Sequence, residues 1–352
     1  MTRMLALTVP GLGGLLRDEI VGVDGLTATA TGNDGRSDVV LLDAERGRQA
    51  AALGLALAED VFAEVGRTLR AEGDRPDWIA GRVWRRQRAE RALSVRAAAT
   101  GRPLPAAATF RVVARVLQER SFLRTDLRRA LTAAVGRDRP RWRVADPAQV
   151  ELWIAEYQPG RFIAGLRLSD ERMRQHGGRA EQRRGALRPA VATAMVRLAG
   201  DPRGALLDPC CGSGTILAEA RARGWRTIGR DLDPEAVRAA RANVPGAAIA
   251  EGDARHLDLA DGSVEAAVTN LPFGRQFQVA GSVDDWLREV TAELTRVTRP
   301  GGQVVLLAPE VPARVLPAGL RPAGGRVRLR LLGTPTSIWT YRREGRRGRM
   351  PS

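Results

Sequence analysis

Asp208-Pro209-Cys210-Cys211-Gly212-Ser213-Gly214-Thr215 follows the short apolar run Ala205 to Leu207 and opens the helical pattern Thr215 to Arg223. Strand, glycine loop and helix in that order place main-chain N–H groups and open backbone where a ligand must come close. The third glycine of a dinucleotide fingerprint is missing, since Gly214 is followed by Thr215, Ile216 and Leu217, and the leading Asp208 would repel a pyrophosphate. A nucleoside that carries an amino-acid ammonium and no phosphate fits better, because a carboxylate attracts its positive end.

Outward from this loop, strands and helices alternate. Thr227 to Gly229, Ala247 to Ala250, Ala266 to Thr269 and Val304 to Ala308 read as buried strands. Pro234 to Asn243 and Asp284 to Thr298 read as helices, the latter with Trp286, Leu287, Val290, Leu294 and Val297 inward. The pattern predicts an α/β domain with a doubly wound, mostly parallel sheet. Arg326 to Leu332 and Ser337 to Tyr341 should add an antiparallel hairpin at its edge.

The second strand of such a sheet needs an acid at its end for ribose hydroxyls, and Asp231 lies 17 residues beyond Gly214, near the usual spacing of about 20. Asp233 precedes Pro234 and Glu235 and reads mainly as a helix cap. Gly252-Asp253-Ala254 offers either a carboxylate for an adenine amino group or a simple polar turn. The expected cofactor set is therefore Asp208, Cys210, Gly212, Ser213, Gly214, Asp231, Asp253, Ala254 and Asn270.

Asn270-Leu271-Pro272-Phe273-Gly274 stands at the end of the fourth strand, where doubly wound sheets place their chemistry. The Asn270 side-chain oxygen and a backbone carbonyl near Leu271 or Pro272 can hold both hydrogens of an exocyclic NH2 and aim its lone pair at an electrophilic methyl. Phe273 can stack on a base that has been flipped out to arrive. Asn270, Pro272 and Phe273 are the expected catalytic residues. Asparagine is a poor base, so most of the rate should come from alignment. A cysteine nucleophile for carbon methylation is missing beside this loop, and His176 and His256 stand alone without metal-ligand spacing, so no metal is expected.

The chain has 352 residues, a net charge of +16, and 56 basic residues that are all arginine. Excess positive charge favours a polyanionic partner, and arginine contacts phosphate bidentately. The complete lack of lysine is equally well explained by GC-rich coding. No apolar run approaches the roughly 20 residues of a membrane helix, and the opening residues lack a secretory pattern, so a cytoplasmic location is expected. Two adjacent cysteines cannot build a disulfide framework.

Upstream, residues 1–70 read as strand, helix, strand, strand, helix, strand, with a helix over Ala50 to Ala58, a small α+β unit of ferredoxin-like type. Residues 71–169 read as a second α+β unit with a basic exterior, beginning with one helix from Asp77 to Ala99. Residues 170–200 read as a linker with a helix, and residues 201–352 as the methyltransferase-type domain.

The motifs Asp208 to Thr215, Gly229-Arg230-Asp231-Leu232-Asp233, Gly252-Asp253-Ala254 and Thr269 to Arg275 together resemble those of S-adenosylmethionine-dependent tRNA guanosine N2-methyltransferases that carry a THUMP domain. The resemblance extends to Gly185-Ala186-Leu187-Arg188-Pro189 and Thr8-Val9-Pro10-Gly11-Leu12, and so covers nearly the whole chain. It implies an N-terminal ferredoxin-like domain, a THUMP domain over 71–169 that holds the acceptor-stem end of tRNA, and a Rossmann-like catalytic domain. S-adenosylmethionine would be the methyl donor, and the protein would act as a monomer. Family members often have an arginine and an aromatic residue before the catalytic domain, where this chain has His176-Gly177-Gly178-Arg179. Related loops serve adenine in DNA, guanine in ribosomal RNA and glutamine in protein; a basic front half favours RNA. A decayed RNA-binding protein is the other alternative, opposed by the intact glycines, Asp231 and Asn270.

Overall fold

The computed structural model describes residues 1–117, 121–176, 186–272, 282–331 and 333–345. The chain divides into two compact units, Met1–His176 and Gly177–Ser352.

The first unit begins with β1 (Thr2–Thr8), α1 (Gly13–Val21), β2 (Leu26–Asn33), β3 (Asp38–Ala44) and β4 (Asp60–Leu69). It continues through α2 (Pro76–Val83), α3 (Arg86–Thr100), β5 (Thr109–Arg115), α4 (Arg124–Asp138), β6 (Arg143–Val144), β7 (Val150–Gln158), β8 (Arg161–Arg167) and α5 (Glu171–Gln175). One sheet of eight strands, in the order β2-β3-β1-β4-β8-β7-β5-β6, runs through both segments expected upstream. Antiparallel pairing of β4 with β8, from Phe62↔Arg167 to Leu69↔Arg161, joins them. Leu5, Leu7, Val39, Leu41, Phe62, Trp153, Tyr157 and Ile163 share one core cluster, with the Phe62 and Trp153 rings 5.2 Å apart.

Two local expectations change here. The stretch expected as a helix from Ala50 forms only a short 3-10 turn, Gln49–Gly54. The single helix expected over 77–99 breaks at Trp84 and Arg85, both extended. Val83 ends α2 buried, Trp84 in the extended link is buried as well, and Arg82 and Arg85 on either side stay exposed.

The second unit alternates as the sequence predicts: α6 (Pro189–Leu198), β9 (Ala205–Asp208), α7 (Thr215–Ala222), β10 (Arg226–Asp231), α8 (Pro234–Asn243), β11 (Ala248–Glu251) and β12 (Val264–Asn270). Then follow α9 (Val283–Val297), β13 (Thr298–Ala308), β14 (Leu320–Pro322), β15 (Val327–Leu331) and β16 (Thr334–Arg343). The sheet order is β11-β10-β9-β12-β13-β16-β14, with β15 on β16. Strands β9 to β13 are parallel and β16 antiparallel to β13. Trp286, Leu287, Val290, Leu294 and Val297 of α9 are all buried against Val304 and Leu306, as the 3.6-residue spacing requires. Helix α6 belongs to this unit, and Thr193 Oγ1 donates to Glu219 Oε2 of α7 at 2.8 Å. Among the described residues no helix is long and apolar enough to cross a membrane.

Candidate active site

From β9 the chain steps outward to β10 and β11, then returns to lay β12 on the other side of β9. A parallel sheet opens a crevice at the carboxyl ends of its strands where the winding reverses. Here β9 and β12 pair at Leu206↔Ala266 and Leu207↔Ala267, while β12 stays on β13 up to Asn270↔Leu307. Asp208 and Asn270 thus end neighbouring strands on the two sides of the reversal.

The glycine loop is held from below and left open above. Gly212 and Gly214 have φ of +51° and +84°, the left-handed region that costs other residues about 1–2 kcal/mol. A Cβ on Gly214 would lie 2.9 Å from Val244 Cγ2, but one on Gly212 would meet no heavy atom of the described residues within 4 Å. So Gly214 is needed for packing, and among the described residues nothing lies over Gly212. Gly212 N donates to Asp231 Oδ2 at 2.8 Å, Asp233 N donates to Asp231 Oδ1 at 3.0 Å, and Asn243 Nδ2 donates to the Ser213 carbonyl at 2.9 Å. Each Asp231 oxygen keeps a second lone pair for a hydroxyl donor. Asp233 caps α8 by accepting from Glu235 N at 2.9 Å, with Pro234 in the first turn.

Asp208 is buried, accepts from Cys210 N at 3.2 Å and has the Thr269 hydroxyl as a further hydrogen-bond partner, but no cation among the described residues is paired with it. Burial pushes its carboxyl up to about 7, and the negative charge of Asp231 adds to the shift. A carboxylate in this position gains most from a cation placed beside it. Cys210 and Cys211 are both free thiols, and burial pushes both upward, so neither supplies a thiolate near neutral pH. An open glycine, a buried acid short of a counter-charge and a hydroxyl acceptor match a nucleoside with a cationic tail.

Sequence reasoning missed what surrounds Asp253. The Arg255 guanidinium grips it, with Nε 3.1 Å from Oδ1 and Nη2 2.7 Å from Oδ2, and holds its carboxyl below the usual range. Arg255 also reaches Glu289 of α9 at 3.6 Å. The same segment is tied by Arg230 to Asp258 at 2.9 Å and by Glu293, which accepts from Leu257 N at 2.6 Å. The Ala254 side chain points into the core cluster, which leaves its backbone as the part able to face a ligand. An arginine two residues after an acid was the available signal for this grip.

Asn270 Oδ1 is buried and no donor among the described residues reaches it. Leu271 N is taken by the Leu307 carbonyl at 3.1 Å, which fixes the backbone that carries the asparagine. Pro272 follows, and Phe273 lies outside the described residues, as do Gly274 and Arg275. His256 forms an isolated bridge with Asp253, and among the described residues no metal-holding group of His, Cys, Asp or Glu is found.

Residues 176–314 match the family described as UPF0020, RMKL-like, methyltransferase domain. Among curated proteins, the tRNA (guanine(10)-N2)-dimethyltransferase of Methanothermobacter thermautotrophicus is 36% identical over 132 residues, 36% of this chain and 39% of that protein. The U6 snRNA (guanine-N(2))-methyltransferase THUMPD2 of Bos taurus is 33% identical over 156 residues, 42% of this chain and 30% of that protein. The chain thus spans well under half the length of either relative. TrmN from Thermus thermophilus superposes with a TM-score of 0.72 at 24% identity, covering 97% of this chain and 100% of TrmN. That likeness shows the fold: a mixed α/β chain whose second unit carries a Rossmann-like sheet.

Proposed function

Taking the UPF0020-type methyltransferase domain over residues 176–314 as the premise, we propose that the chain transfers a methyl group from S-adenosylmethionine to the exocyclic N2 of a guanosine in tRNA. The observation that carries this reading is the orphaned Asn270 Oδ1 at the mouth of the reversal. A buried acceptor without a donor costs about 1–3 kcal/mol, and an incoming amino group recovers it. Bound S-adenosylmethionine supplies an electrophilic methyl. Asp208 would hold its ammonium, Asp231 its ribose hydroxyls, and Asp253 with the backbone of Ala254 its adenine.

Asn270 Oδ1 accepts one N2 hydrogen, and a carbonyl near Leu271 or Pro272 accepts the other. This turns the nitrogen lone pair out of conjugation and toward the methyl; the role expected of Phe273 is to stack on the base. Both acceptors are neutral, so the proton leaves to solvent with or after transfer, and alignment supplies most of the rate. Residues 1–70 serve as a ferredoxin-like domain and residues 71–169 as the THUMP domain that holds the acceptor-stem region, in a cytoplasmic monomer.

The test is to incubate the protein with labelled S-adenosylmethionine and unmodified tRNA, then digest and identify the product; N2-methylguanosine is expected. Asn270→Ala should cut turnover by at least about a hundredfold, the scale seen when one preorganised hydrogen-bond partner is removed, while cofactor affinity by calorimetry falls far less. Equal loss of cofactor binding would contradict the role of Asn270. A second reading, a guanine of U6 snRNA as target, is favoured by the likeness to THUMPD2. Product formed from that RNA and not from tRNA would select it.

A further inference from the structure

β16 runs between β13 and two short outer strands, and its register fixes where the outer strands lie relative to the reacting end of the sheet. Asn270 pairs with Leu307, Leu307 with Ile338, and Ile338 with Val327. These four residues form one row across β12, β13, β16 and β15. The last paired residue of β13, Ala308, meets Ser337, so residues 334–336 rise beyond the sheet on the Asn270 side. Residues 328–331 rise with them, paired from Arg328↔Ser337 to Leu331↔Thr334. At about 4.8 Å between strands and 3.3 Å per residue, Arg328 and Arg330 stand roughly 15 Å to the side of Asn270 and about 3 and 10 Å above it.

Composition and exposure single out the same two residues. From Val311 to Arg343 the chain has seven arginines and no acid. Five are engaged among the described residues: Arg314 with Asp284, Arg321 with Glu344, Arg326 with Ser337 and the Trp339 ring, Arg342 with the Gly301 carbonyl and Arg343 with the Arg296 carbonyl. Arg328 and Arg330 are exposed, and no carboxylate or carbonyl among the described residues holds either one. They share one face of β15, while Leu329 between them is buried. The outer edge of β15 carries no further strand among the described residues.

We propose that Arg328 and Arg330 form a phosphate-binding edge for the substrate polynucleotide, gripping the strand that flanks the target base when that base enters the crevice at Asn270. Two guanidinium groups two residues apart on a strand have a spacing comparable to that of neighbouring phosphates, and unpaired arginine forms bidentate bonds to phosphate oxygens. The inference rests on the nucleic-acid methyltransferase reading above. Its rival is edge protection, in which exposed charge on an outer strand merely prevents another sheet from pairing with it.

The test compares the wild-type protein, Arg328→Gln/Arg330→Gln and Arg321→Gln, the last a control near the opposite end of β16. KM for unmodified tRNA, kcat, cofactor affinity, the salt dependence of RNA binding and the oligomeric state are measured for each. Two lost phosphate contacts should flatten the slope of log K against log salt by about 1.4 and raise KM roughly tenfold. Cofactor affinity, kcat and oligomeric state should not change, and Arg321→Gln should match wild type. A double variant with wild-type KM and salt slope, or one that self-associates, overturns the proposal in favour of edge protection. If the wild type binds tRNA with the arginine-dependent slope yet methylates nothing, the functional reading fails and the phosphate-binding edge stands.

Discussion

Asp208 holds in the fold a proton that the unfolded chain releases near pH 3.8, because burial moves its carboxyl up to about 7. Between those values the folded state binds the extra proton, so its contribution to stability is greatest below about pH 4 and is lost as pH rises through about 7. Asp208→Asn should therefore remove that part of the pH dependence, which thermal melts of the ligand-free protein at pH 5 and pH 8 would read. A cationic ligand prefers the ionised carboxylate, so cofactor affinity should fall as pH drops below about 7, by up to tenfold per unit. Calorimetry that showed the same slope in Asp208→Asn would exclude this carboxyl as the source. At this scale the sequence was most legible where chemistry is contiguous: Asp208, Gly212, Gly214, Asp231 and Asn270 all fall at strand ends around one reversal. The grip of Arg255 on Asp253 was not legible, because it depends on how a turn closes and on where α9 brings Glu289.

Loops and helices differ in how directly their residues announce them. The two glycines of the β9–α7 loop serve different ends, and alanine at each should separate them. Gly214→Ala forces a Cβ to 2.9 Å from Val244 at positive φ, so the melting temperature should drop by several degrees along with cofactor affinity. Gly212→Ala meets only the conformational cost of about 1–2 kcal/mol, and its larger effect should be on cofactor binding. Equal stability loss in both would show that Gly212 is not ligand-facing. Helix α9 was readable because its inner face repeats every three to four residues. The break between α2 and α3 was not, because no glycine or proline stands at Trp84 or Arg85 to announce it.

Across the whole molecule the front half is basic, as the sequence reading took it to be, but the second half is at least as basic. Residues 1–176 contain 29 arginines and 22 acids, and residues 177–352 contain 27 and 18. Each unit closes its own core, so residues 1–176 and 177–352 expressed separately should each melt cooperatively. The second fragment should bind S-adenosylmethionine and lose most of its tRNA affinity, which calorimetry and filter binding would measure. Loss of cofactor binding in that fragment would show that the first unit completes the crevice.

The order in which strands are made differs from the order in which they pair. β13, β14 and β15 all rest on β16, which is translated after the three of them. A nascent chain stalled before residue 334 exposes the edge of β13 and two short strands with no common neighbour, a state prone to capture by chaperones or to misassembly on the ribosome.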